Sequence, residues 1–96
     1  MRGMNAKLVL KEKTDEKVVY RYSADSSTFG SRIEDIIVDG EIECAFVPGE
    51  PSVIECQTLK TATNDNDGGH AEWLYGHLWR VIFIENCPHD YFFATG

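Results

Sequence analysis

Apolar and polar residues alternate along AKLVLKEK (6–13) and KVVYRYS (17–23), the period-two pattern of half-buried strands. Joining them through residues 14–16 sets Leu8 opposite Tyr22 and Leu10 opposite Tyr20 on one face. Lys7, Lys11, Lys13 and Arg21 then face the other way. ADSSTFGS (24–31) reads as a loop from its Ser, Asp and Gly content. RIEDIIV and EIECAFV flank Asp39-Gly40, a strong hairpin signal, because a type I′ turn needs positive φ at both central positions. Such a turn pairs Ile37 with Ile42 and Ile33 with Phe46, and leaves Asp35 opposite Cys44 on the apolar face. The run Ile36, Ile37, Val38 breaks the alternation, which predicts a β-bulge or register shift near Asp35.

ECAFVPGEPSVIEC (43–56) predicts a further hairpin about residues 48–52, where Pro48 and Pro51 suit a loop better than a strand. Val47 then faces Val53, Phe46 faces Ile54 and Cys44 faces Cys56. Ile42, Cys44 and Phe46 share one face with Ile54, Cys56 and Thr58, while Glu34, Glu41, Glu43 and Glu55 gather on the other as an acidic sheet surface.

Beyond the turn-rich KTATNDNDGG, the pattern changes period. Ala71, Leu74, Tyr75, Leu78, Trp79, Val81, Ile82 and Phe83 fall on one broad arc at 100° per residue, which predicts a helix over 69–86, ahead of Pro88. Asp65, Asn66 and Asp67 are its candidate N-caps. YFFAT (91–95) adds a short closing strand. The expected fold is α+β, an antiparallel meander of four to five strands with one C-terminal helix on its apolar face.

At 96 residues the chain fits a single domain, residues 1–96, with one core. No apolar run reaches the roughly 18–20 residues needed to span a bilayer, so no membrane role is expected. MRGMNAKLVL lacks the apolar stretch of a secretory signal, and three cysteines, an odd number, fit a reducing compartment. The expected location is the cytoplasm.

The net charge of −7 is uneven: residues 1–22 carry a net of +3 and the remainder a net of −10. Most of this surface would repel nucleic acid and attract a basic partner. The plain alternative is that acidity serves solubility.

Few patterns carry chemistry. Aligning Gly68 with the glycine of a calcium loop puts Thr63 first and Leu74 last, where oxygen ligands belong, so a helix-capping turn is the better reading. His70 and His77 share a helix face but lie about 10 Å apart along it, too far for one zinc ion. Neither these residues nor Cys87-Pro88-His89 forms a recognised ligand spacing, so neither metal nor cofactor is expected. Cys44 and Cys56 should meet in the core. Cross-strand Cβ atoms lie about 4.5–5.5 Å apart, so a disulfide needs adjustment, and packed reduced thiols are expected. Cys87, at a helix C-terminus, is poorly placed to be a thiolate. No phosphate-binding glycine loop or nucleophile elbow occurs. With no visible acid, base or nucleophile set, the pattern favours a role other than catalysis.

The helix face away from the core carries His70, Trp73, His77, Arg80 and Ile84 in one row, where a solvated face would be rich in Glu and Lys. Trp and Arg are enriched where proteins meet. The competing reading is that Trp73 closes the core edge or that YFFAT folds over the row. The expected function is therefore a protein-interaction domain. It would self-associate through the helix row, or inhibit a basic partner through Glu34, Glu41, Glu43 and Glu55. The alternative is a small-ligand binder or minor enzyme, with Asp35, Tyr20, Tyr22 and Cys44 lining a pocket between the helix and the 60–69 loop.

Overall fold

The computed structural model describes residues 5–23, 37–63, 65 and 68–94. Strands β1 (Asn5–Lys13), β2 (Lys17–Tyr22), β3 (Gly40–Phe46) and β4 (Ile54–Lys60) precede helix α1 (Gly69–Phe83), and β5 (Asp90–Ala94) follows it. They form one five-stranded antiparallel sheet in the order β4-β3-β2-β1-β5, so the architecture is the expected α+β meander, closed by β5 on the outer edge of β1.

Alternation sets the register of β1 and β2. Leu8 faces Tyr22 and Leu10 faces Tyr20, as predicted, and Lys11 is then the extra residue of a bulge, because Glu12 faces Val19. The hairpin predicted about residues 48–52 also forms, with Phe46 opposite Ile54 and Cys44 opposite Cys56. The Val47 N–H donates to the Val53 carbonyl to close its loop.

The Asp39-Gly40 hairpin does not form. Ile42 lies between Tyr20 of β2 and Thr58 of β4, so both edges of β3 are occupied and Ile37 has no place beside it. Ile37 is instead 71% exposed and outside any strand. Ile33, Glu34 and Asp35, with the bulge expected there, lie outside the described residues.

Asp39 and Gly40 have separate duties. The Asp39 carboxylate accepts the N–H (3.1 Å) and the hydroxyl of Thr63, bonds that hold its pKa below the usual carboxylate value. Gly40 faces Tyr22 across β2 and β3, and the Tyr22 ring occupies the space where a Cβ would stand.

The core lies between the sheet and one face of α1. Ala71, Leu74, Leu78, Val81 and Ile82 pack with Leu8, Val18, Tyr20, Tyr22, Ile42 and Cys44. Each large aliphatic side chain so buried contributes roughly 1.5–3 kcal/mol. Two hydroxyls of β2 tie this layer together. Tyr20 donates to the Pro88 carbonyl (2.6 Å), fixing the chain as it leaves the helix. Tyr22 donates to the Asp65 carboxylate (2.7 Å) and accepts the Ala62 N–H (3.0 Å), fixing the chain as it enters.

Of the three candidate caps, Asp65 acts from three residues before the N-cap, and Asn66 and Asp67 lie outside the described residues. Gly68, the N-cap residue, has φ 76° and makes no side-chain cap bond. Its left-handed turn carries the chain round so that Asp65 accepts the N–H groups of His70 and Ala71, both at 3.0 Å. Asp65 is only 4% exposed. Burial alone would raise its pKa, but the Tyr22 hydroxyl and these two N–H groups outweigh burial and lower it.

At the other end, α1 stops at Phe83, three residues short of the predicted end. Asn86 and Cys87 take left-handed φ values of 65° and 54°, and the Cys87 N–H turns back to the Val81 carbonyl at 3.0 Å. Asparagine tolerates that conformation better than most residues, which suits this exit.

Two predictions follow from these contacts. Gly40→Ala should destabilise the fold by about 1–3 kcal/mol, because the Tyr22 ring is bonded in place and cannot yield. Chemical denaturation measures this. Asp65→Asn should cost about 1–3 kcal/mol at neutral pH through the lost charge-assisted bonds. Since folding lowers the Asp65 pKa, its contribution is complete above the unfolded value of about 3.9 and fades as pH falls through the folded value. Urea midpoints of the two proteins should therefore converge on acidification.

Candidate functional site

The two surfaces singled out in the sequence differ in what the fold does with them. On the helix row, Trp73 is half-buried against the core, as the core-edge reading expected. His70 and His77 bracket its ring, with centroids at 5.7 and 4.6 Å. Arg80 reaches toward Glu85 at 3.8 Å, and Ile84, just past the helix end, is 59% exposed. Residues 91–94 of YFFAT pair with β1, and Thr95 lies outside the described residues.

On the sheet face, the glutamates meet lysines. Glu41 on β3 accepts Lys11 Nζ from β1 at 2.8 Å, reaching past β2. Glu43 accepts the Gln57 side chain at 2.7 Å and lies 3.3 Å from Lys17 Nζ. These partners lower both glutamate pKa values, through Lys11 for Glu41 and through Gln57, then Lys17, for Glu43. Glu55 is exposed on β4, and Glu34 lies outside the described residues. The described part of this surface is a cross-strand lattice of both signs, with pairs that contribute little individually. The sequence could not show this, since the order of β1, β2 and β3 decides which lysine meets which glutamate.

The pocket expected between the helix and the 60–69 loop loses its named lining. Tyr20, Tyr22 and Cys44 are fully buried, and both hydroxyls are engaged in the bonds that hold the helix ends. These residues close the core. Asp35 lies outside the described residues. Among the described residues, no group of three or more His, Cys, Asp and Glu side chains is arranged to hold a metal ion.

A third surface forms where the 14–16 turn, the 47–53 loop and the end of α1 converge. Phe83 is its centre. Its ring lies 6.0 Å from that of Phe46, edge to face, and 5.3 Å from that of Trp79. Trp79, assigned to the core arc from periodicity, is 39% exposed because it sits at the arc's margin. Its indole N–H donates to the Ser52 carbonyl at 2.7 Å, pinning the 47–53 loop to the helix. Ser52 itself has φ 65°, which directs the loop back toward β4.

Beside this cluster run two adjoining depressions, of about 670 and 720 Å³. They share Asp15, Phe46 and Val47 and so form one trough. Phe46, Val47, Pro48, Pro51 and Phe83 give it apolar lining, and the exposed Asp15, Glu16 and Glu50 give it acidic lining. Lys13 and Lys17 are also present, but Lys17 lies against Glu43. The trough is open to solvent along its length. Its sequence signals were VPGEPSV, apolar residues flanking a loop, and a second tryptophan at the margin of the helical arc.

Comparison with protein-family models, with curated proteins and with solved structures gave no match.

Proposed function

We propose that the protein is an interaction domain whose trough receives an apolar side chain from a basic segment of a partner protein. The observation that carries this reading is the aromatic cluster of half-buried Phe46 and Phe83 with exposed Trp79, beside a trough whose lining combines apolar residues with Asp15, Glu16 and Glu50. Aromatic anchors in a partly desolvated recess supply most of the affinity at protein interfaces. Acidic residues at the rim supply steering and select for lysine or arginine beside the anchor. The chain's net charge of −7 acts in the same sense at longer range.

This reading keeps the basic partner expected from the sequence and moves its contact to the loop end of the sheet. There the charge is less compensated than at Glu41 and Glu43. No helix among the described residues is long and apolar enough to cross a membrane.

Titrating the labelled protein with peptides that place Phe or Leu between lysines tests the proposal by NMR. Shift changes should centre on Phe46, Val47, Glu50 and Phe83. Asp15→Lys combined with Glu50→Lys should weaken binding by about tenfold or more, and raising salt should weaken it too. Changes centred on His70 and His77, or equal binding of acidic and basic peptides, would overturn the proposal. Dilution-dependent mass without peptide binding would return the helix row and self-association to first place.

A further inference from the structure

The thiols lie outside the trough, and two of them form a pair. Cys44 of β3 and Cys56 of β4 occupy opposed positions in the antiparallel register, with sulfurs 3.4 Å apart. Both are free thiols. Opposed residues on antiparallel strands have Cα atoms about 4.5–5.5 Å apart, inside the roughly 4.4–6.8 Å range that disulfides span. Rotation of the two side chains, with a small closing of the strands at this pair, brings the sulfurs to bonding distance.

The two positions are unequal. Cys44 is fully buried, between β2 and β4, whereas Cys56 is half-buried on the strand at the sheet's edge. A small reagent therefore reaches Cys56 first. Their mutual contact, with the burial of Cys44, drives the Cys44 thiol well above its ordinary pKa, and the same contact lowers that of Cys56. Of the two, Cys56 is the sulfur that ionises more readily. Cys87 differs from both. Burial raises its pKa, and its sulfur lies 3.7 Å from the Ile82 carbonyl.

We propose that Cys44 and Cys56 are a modification site for small hydroperoxides, with Cys56 as the attacking sulfur and Cys44 as the resolving one. The Cys56 thiolate attacks the terminal peroxide oxygen. An S–O bond forms, the O–O bond breaks, and the leaving alkoxide or hydroxide takes a proton from water. Cys56 is then a sulfenic acid, oxidised by two electrons. The Cys44 sulfur attacks the Cys56 sulfur, forming S–S and breaking S–O, and the Cys44 proton leaves with the hydroxide as water. Two thiols and one hydroperoxide thus give a disulfide, an alcohol (water, for hydrogen peroxide) and one water. A thiol reductant reverses the bond by exchange.

Hydrogen peroxide treatment of the intact chain, followed by intact mass and peptide mapping, tests this site. The wild type and Cys87→Ser should each lose two hydrogens, with the cross-link mapping to Cys44 and Cys56. Cys56→Ser should lose its remaining thiols about tenfold more slowly or less. In Cys44→Ala, Cys56 should be trapped as an adduct by a sulfenate-directed 1,3-dione. A wild-type chain whose three thiols survive while methionine oxidises would overturn the proposal. So would a cross-link to Cys87, or Cys56→Ser reacting as fast as wild type.

Discussion

The hydrogen bond from the Tyr22 hydroxyl to the Asp65 carboxylate joins the two layers of this protein, and the placement of the helix depends on it. A carboxylate only 4% exposed is costly to desolvate unless its oxygens are filled. Here they accept from Tyr22 and from two N–H groups of the first helical turn, groups that would otherwise lack partners within the helix. One charge thus starts the helix and fixes its entry point over β2. Tyr20, two residues away on the same face, fixes the exit through the Pro88 carbonyl. Among the described residues, no buried side-chain nitrogen or oxygen lacks a partner, as a core crossed by polar struts requires.

This constraint engages side chains that a pocket could have used. Tyr20, Tyr22, Asp65 and Cys44 would be attractive pocket residues by composition, but three serve as struts or their acceptor and the fourth is sealed in the sheet. A helix held at both ends carries Trp79 and Phe83 to the loop end of the sheet, where Trp79 grips the Ser52 carbonyl and Phe83 meets Phe46. The proposed docking trough lies there, on rigid elements and beside short loops. The thiol pair is a separate consequence of register, since the pairing that puts Phe46 opposite Ile54 also puts Cys44 opposite Cys56.

Much of the fold was legible because its signals are local. Alternation defined β1 and β2, the loop at 48–52 brought the cysteines together, and the 3.6-residue period marked the helix. The failures arose where partners distant in sequence decide. Asp39-Gly40 is a strong turn signal taken alone, but β2 and β4 occupy both sides of β3, and Gly40 is needed for the approach of the Tyr22 ring. The sequence offered Asp65 as a cap without its second role, which only the position of the Tyr22 hydroxyl reveals. Glu41 and Glu43 read as bare acid until strand order brings Lys11 and Lys17 to them. Trp79 lay at the arc's margin, where periodicity cannot separate core from rim.

A double-mutant cycle on Tyr22→Phe and Asp65→Asn, read by urea denaturation at neutral pH, tests the proposed link between sheet and helix most directly. Both changes keep the side chain's volume, so the coupling reports the bond itself. The predicted coupling is about 1–3 kcal/mol, with the double variant little less stable than the worse single one. Additive losses, with coupling near zero, would mean that the helix is held by apolar packing alone and that the buried charge does not organise the fold.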